Sequence, residues 1–196
     1  MKIHSHFRPL ALLALVLAPA ASAAVDTYTI DPVHSSVGFS IRHFVSKVPG
    51  KFSKFAGTIA VDREHPERSS AEATIDAASI NTDNQKRDEH LRGADFFEVA
   101  KYPTMTFVSK SWAKTGAETF EVRGDLTLKG VTREVVLHVT SLGFGPGMGG
   151  AQLSGWEATT TIKKAEFNVK GPPMLGTALG DDVTITINLE AGMKKA

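Results

Sequence analysis

Five histidines lie beyond residue 23: His34, His43, His65, His90 and His138. They are the first candidates for metal or proton chemistry. No two stand at the i, i+4 spacing that places a pair of imidazoles on one helical face around zinc, and H-E-x-x-H is absent. His34 and His43 are nine residues apart. On one extended strand that is about 30 Å, so they meet only if the chain turns between them. Ser35 and Ser36 follow His34, but no G-x-S-x-G elbow presents a serine nucleophile. Neighbours on a strand also face opposite ways, which sets His34 and Ser35 apart. The chain has no cysteine, so thiolate chemistry and disulfides are both excluded. The densest polar group is Arg87, Asp88, His90 and Arg92. It reads in two ways: a solvated helix face with an Asp88–Arg92 ion pair worth under about 1 kcal/mol, or a polar cap over the head group of a ligand. The expectation is no metal, no cofactor motif and no catalytic constellation.

The elements that must hold these residues are strands. In "SSVGFSIRH", Val37, Phe39 and Ile41 share one face while Ser36, Ser40 and Arg42 share the other. "SAEATID", "TFEVRGDLTLKG" and "DVTITINLE" alternate in the same way. Period-two alternation is the mark of antiparallel strands with one face buried and one in water. With "TYTID", "KFSKFAGTIAVD", "TMTFVSKSW", "TREVVLHVT" and "LSGWEATTTI" there are about eight or nine strands by that criterion. The link Leu128-Lys129-Gly130-Val131 reads as a tight hairpin. In "TREVVLHVTSLGF" the parity of Val135, Leu137 and Val139 is opposite to that of Leu142 and Phe144, which predicts a β-bulge between them.

So many strands in one domain form a sandwich or an up-and-down barrel. The inward columns include Gly57, Ala71, Ala73, Gly124 and Ala158 beside large residues. Small inward side chains either leave a cavity, as in barrels that hold one ligand, or make room for neighbouring Phe and Trp rings. Periodicity alone leaves both open.

One stretch breaks the pattern. "INTDNQKRDEHLRGADFFEVAKYPTMTF" (80–107) is charged and helix-forming. Thr82 or Asp83 is placed to cap a first helix that ends at Gly93. Asp95 is placed to cap a second, "FFEVAKY", that stops before Pro103. Phe96 and Phe97 make this insert either a lid over an open barrel end or a connection packed on the wall.

At the N-terminus, Lys2 and Arg8 precede an apolar run from Leu10 to Ala18 and the triplet Ala21-Ser22-Ala23. This is the pattern of a secretory signal peptide cut after Ala23, too short in its apolar core to span a bilayer. The expected mature chain is residues 24–196, a soluble, exported and periplasmic domain. Losing Lys2 and Arg8 takes the formal charge from +1 to one unit negative. A near-neutral chain offers no basic surface for nucleic acid.

Six segments in order resemble the YceI-like family of periplasmic polyisoprenoid-binding, lipocalin-like barrel proteins. They are "YTIDPVHSSVGFSIRH" (28–43), "GKFSKFAGTIAVD" (50–62), the insert, "GDLTLKGVTREVVLHV" (124–139), "GWEATTTIKKAEFNV" (155–169) and "LGDDVTITINLEA" (179–191). The resemblance implies an all-β fold, an extended antiparallel eight-stranded barrel with a short helical insert. It implies an apolar bore holding one long isoprenoid or fatty chain, with a quinone-like or amide head group near the mouth and often a homodimer. One segment departs: where the family carries an Arg, an acidic residue and a Phe-Gly pair, this chain has Lys164, Glu166, Phe167 and Asn168.

The sequence therefore nominates Val37, Phe39, Ile41, Phe55, Ile59, Ile75, Phe107, Leu126, Trp156 and Ile185 as bore residues, with Phe96 and Phe97 from the insert. The expected function is that of a periplasmic carrier for one non-covalently bound polyisoprenoid, isoprenoid quinone or fatty-acid derivative. The alternatives are a periplasmic enzyme acting on an isoprenoid or acyl substrate, and a stress-response interaction protein.

Overall fold

The computed structural model describes residues 25–193, so the signal-peptide pattern of residues 1–23 lies outside the described residues. Among the described residues, eleven strands form one antiparallel sheet that closes on itself. In chain order they are β1 (Asp26–Ile30), β2 (Ser36–His43), β3 (Ser46–Phe52), β4 (Phe55–Val61), β5 (Ser70–Asp76) and β6 (Ile80–Asn81), followed after helix α1 (Gln85–Arg92) by β7 (Thr104–Lys114), β8 (Thr119–Leu128), β9 (Val131–Pro146), β10 (Gln152–Lys163) and β11 (Leu179–Met193). Three of the barrel's staves are broken in two. β1 and β2 run on from each other along β11, through Ile30↔Ala191 and then Ile187↔Val37. β4 and β3 pair with them in turn, and β5 and β6 with β4 and β3. The result is an eight-stranded up-and-down barrel, the closed solution to the problem of exposed sheet edges.

Antiparallel order sends the connections alternately to two ends. One end, called upper here, carries the β2–β3 turn, the insert after β6, the β8–β9 turn and the long β10–β11 connection. The β8–β9 link pairs Leu128 with Val131, and Lys129 (φ 49°) and Gly130 (φ 73°) both have positive φ, as a type I′ hairpin requires. The lower end is closed by aromatic rings. Trp112 meets Trp156 edge-on at 5.8 Å, Phe144 meets Trp156 at 5.6 Å, and Tyr28 meets Phe144 at 5.8 Å. Arg63 lies 3.9 Å above the Phe144 ring and donates to the Tyr28 hydroxyl, while the Trp112 and Trp156 ring N–H groups donate to the Ser109 and Ser154 hydroxyls, so the polar tips of this cluster are satisfied.

The expected bulge is present in β9. Gly155 pairs with Gly143 and Trp156 with Ser141, leaving Leu142 as the extra residue, turned out to solvent, while Phe144 points back inward. A second bulge lies in β7, where the register skips Lys110 between Ser109 and Ser111. It shifts the inward parity from Met105 and Phe107 to Trp112.

The insert differs from its reading in three respects. The first helix is capped by Asn84, not by Thr82 or Asp83: the Asn84 side chain accepts from Arg87 N at 3.0 Å. Thr82 is instead buried, bonded through its amide and hydroxyl to Asp88. Gly93 ends the helix in an extended conformation rather than a left-handed one. The second helix does not form. Residues 94–97 and 99–101 are turns, Glu98 between them sits at φ 50°, and the Asp95 carboxylate is bonded to the His90 ring at 2.8 Å rather than to backbone amides.

Candidate ligand-binding site

Inside the barrel is a cavity of about 510 Å³, within the range of sites for small organic ligands. Its wall is built by the inward parity of each stave. β2 contributes Val37, Phe39 and Ile41; β4 contributes Phe55 and Ile59; β5 contributes Ile75. β7 adds Phe107, β8 Leu126, β10 Trp156 and β11 Ile185, and the insert adds Phe96 and Phe97. Each of the side chains nominated from the sequence thus reaches this one space. Trp112, Met105, Val122 and Leu128 line it as well and were not nominated. The signal for Trp112 was the parity change along "TMTFVSKSW", which a bulge explains and simple alternation hides.

Both readings of the small inward residues hold, at different positions. Ala71, Ala73 and Ala158 line the cavity and enlarge it. Gly124 makes room for the Phe107 ring instead, as Gly50, not among those residues, does for Phe39, whereas a β-carbon at Gly57 would meet the Glu72 carbonyl oxygen at 2.3 Å.

Polar groups gather toward the upper end. Lys86, Arg87 and His90 of α1, His43 at the end of β2, and Lys164 after β10 all border the cavity. The Arg87–Asp88–His90–Arg92 group is not a plain solvated face. Asp88 is buried and accepts from Thr82, while Arg87 donates to the Thr82 hydroxyl and carbonyl, each at 2.7 Å. Arg92 does not pair with Asp88; it donates to the Ala78 and Ile80 carbonyls at 2.8 and 2.9 Å, bracing the break between β5 and β6.

The insert is tied down at three further points. Gly171 N donates to Asp95 O at 3.0 Å, Lys129 Nζ to Ala94 O at 3.0 Å, and Tyr102 packs on the bare face of Gly130. Phe97 meets Phe52 edge-on at 5.8 Å, and Phe96 meets His90 at 5.1 Å. The departing residue Asn168 sits at φ 59°, the left-handed position closing the turn Lys164–Phe167. After glycine, asparagine is among the residues that best tolerate this conformation, so the turn survives the substitution.

Outside the cavity, the fold assembles one group that spacing did not reveal. Asp31, His34 and Glu190 bring their ligand atoms within 4.8 Å of one another at the surface. His34 lies in the turn between β1 and β2 rather than on a strand, and its Nδ1 bonds Asp31 Oδ2 at 2.8 Å. That hydrogen bond holds the Asp31 carboxyl below its usual value and lifts the His34 imidazole above its own. Ser35 turns away, its hydroxyl bonded to the Glu190 backbone.

A closed eight-stranded antiparallel barrel around an apolar cavity with a polar-bordered upper end is a lipocalin-like fold. The chain belongs to the YceI-like family, whose domain model matches residues 28–191. Protein YceI of Escherichia coli O157:H7 is 38% identical over 185 residues, covering 93% of this chain and 95% of the relative. Among solved structures, BcnA of Burkholderia cenocepacia superposes with a TM-score of 0.77 at 29% identity, over 83% of this chain and 99% of that one. A polyisoprenoid-binding domain from Saccharophagus degradans, implicated in plant cell wall breakdown, shares the fold with a TM-score of 0.66 at 17% identity, over 85% and 98% of the two chains.

Proposed function

We propose that this protein is a carrier that holds one long apolar chain, a polyisoprenoid or fatty-acid derivative, in the barrel and performs no chemistry on it. The observation that carries this reading is the cavity wall: aliphatic and aromatic side chains from every stave face one space. Each methylene moved from water into such a site contributes about 0.8 kcal/mol. Ordering the flexible chain offsets part of that gain. Discrimination along the chain is weak on this account and resides in its length and head group. The lower end, stopped by Trp112 and Trp156, limits length. The upper end, with Lys86, Arg87, His90 and Lys164, offers donors to a head group rich in acceptors, such as a quinone or a carboxylate.

Periplasmic residence is part of the proposal and rests on the pattern of residues 1–23. A homodimer is expected from the resemblance, and light scattering of the purified protein tests it.

Extraction of the purified protein with organic solvent, followed by mass spectrometry, tests the carrier directly. The expected result is one intact long-chain lipid per binding unit. An empty extract overturns the reading in favour of an interaction protein, and a cleaved product overturns it in favour of an enzyme.

A further inference from the structure

The β2–β3 turn bares two apolar side chains at the upper end of the barrel. Phe44 is 62% exposed and Val45 is fully exposed, and the next loop adds Met174 at 89%. Isolated apolar residues on a surface need no explanation, but Phe44 and Val45 sit between two cations, Arg42 and Lys47, in a segment without carboxylates. From Pro32 to Val61 the chain has no acidic residue, while Arg42, Lys47, Lys51 and Lys54 are all exposed. None of these four has a carboxylate partner among the described residues. Arg42 and Lys47 even stand directly opposite each other across the hairpin, where like charges repel.

The turn is also held in a costly shape. Phe44 has φ 49°, a conformation that bulky residues rarely adopt. Its backbone is clamped from both sides: Phe44 N donates to Ala178 O at 2.7 Å, and Arg42 donates to Phe44 O and to Thr177 O, each at 3.1 Å. Strain kept in place by surrounding bonds is a pointer to function.

We propose that the β2–β3 tip is a membrane-docking surface: Phe44 and Val45 enter the interface of a bilayer while the hairpin's cations meet anionic phospholipid headgroups. Apolar tips beside uncompensated Lys and Arg are the combination that binds such surfaces. Lys and Pro on a strand edge also discourage edge-to-edge pairing, which accounts for Lys47 and Pro49 but not for a bared Phe44-Val45. A second copy of the chain is a poor occupant, because a two-fold contact at this tip would oppose its cations to themselves. The tip stands beside the cavity, which reaches His43 and Val48 of the hairpin, Leu175 of the neighbouring connection and Leu179 at the start of β11. The docking surface is the outer face of the hairpin, whatever the bore holds.

Sedimentation of the mature protein with vesicles tests it, using phosphatidylcholine alone or mixed with phosphatidylglycerol. The expected result is binding to the mixed vesicles that weakens with added salt. The double variant Phe44→Ser/Val45→Ser should bind roughly tenfold more weakly or less, the order lost with buried apolar area. Lys47→Glu/Lys51→Glu should remove the preference for phosphatidylglycerol, since each cation at an anionic surface strengthens binding about fivefold. None of these side chains lines the cavity, so melting temperature and extracted lipid should match the parent. Met148, bared at the opposite end in a stretch (139–156) that carries no Lys or Arg, serves as the control: Met148→Ser should bind as the parent does. Parent protein that ignores both vesicles overturns the proposal, as does an equal loss in Met148→Ser. So does a concentration-dependent dimer that Phe44→Ser/Val45→Ser abolishes while vesicle binding stays unchanged.

Discussion

The ring of Phe107 lies against the bare backbone of Gly124 on the next strand, so close that a β-carbon at 124 would stand 2.5 Å from Phe107 Cζ and 2.6 Å from Val108 O. Phe107 faces the cavity, and the missing side chain lets its ring lie back on the wall instead of across the bore. The alanine variant cannot be absorbed by a flexible tip alone, because a backbone oxygen is in the way as well. Gly124→Ala should destabilise the barrel by about 1–3 kcal/mol, the usual range for forcing extra volume into a packed interior. It should also push Phe107 inward and lower the amount of lipid extracted. Urea unfolding beside lipid quantification checks both; a parent-like midpoint with a full lipid load would mean that the sheet yields freely there.

How much of this was legible beforehand depends on which residues carry the signal. The barrel wall was legible because a half-buried strand writes its inward face into every second residue, from Val37 to Ile185. The bulge in β9 was legible for the same reason, since Leu142 and Phe144 break parity with Val139. Trp112 was hidden because the β7 bulge falls among Ser109, Lys110 and Ser111, whose polar side chains do not mark the residue at which the parity changes. The insert was misread at its caps. Thr82, Asp83 and Asn84 are all good capping residues, and only the side-chain bonds decide among them, Thr82 donating to Asp88 and accepting from Arg87. Likewise Asp95 would cap a helix were it not bonded to His90. The Asp31–His34–Glu190 group joins residues from opposite ends of the chain, a contact that no local spacing can show.

The Asp31–His34 pair makes a prediction about pH. In the folded protein the hydrogen bond from His34 lowers the Asp31 pKa below 3.8, and the same bond raises the His34 pKa above 6.5, with Glu190 adding to it. A raised histidine contributes stability that is full below 6.5 and lost as pH climbs through its folded value. A lowered aspartate contributes stability that is full above 3.8 and lost as pH falls through its folded value. The pair therefore acts most between those two ordinary values. His34 is exposed and Asp31 only half-buried, so the effect on stability is small. In NMR titration, His34 should titrate above 6.5 in the parent and move toward 6.5 in Asp31→Asn. The difference in urea midpoint between the two should be largest inside that window and shrink outside it. An unmoved His34 titration would show that the bond is absent in solution.

The insert supplies the last prediction, because Phe96 and Phe97 occupy it in different ways. Phe96 is buried against the His90 ring and beside Gly171, where a β-carbon would approach its ring to 3.1 Å. Phe97 is only half-buried, facing the cavity with its ring edge-on to Phe52. They do not sit on one helix, so the roughly 100° between successive helical side chains does not govern their directions. An aspartate at 96 would place a charge where no water reaches, between the insert and the β10–β11 connection, and should detach the insert as a whole. An aspartate at 97 would place its charge at the cavity surface and leave the insert's ties to Ala78, Ile80, Lys129 and Gly171 in place. Phe97→Asp should therefore lose most of its lipid while melting close to the parent. Phe96→Asp should lose lipid and also show faster amide exchange across residues 82–102, with the barrel strands still protected, since such covers open at lower free energy than the core. Extracted lipid, melting temperature and hydrogen exchange separate the outcomes. Full lipid and parent-like exchange in both variants would make the insert a mere surface connection. Loss of protection across β7 to β11 in Phe96→Asp would make it part of the core instead of a cover.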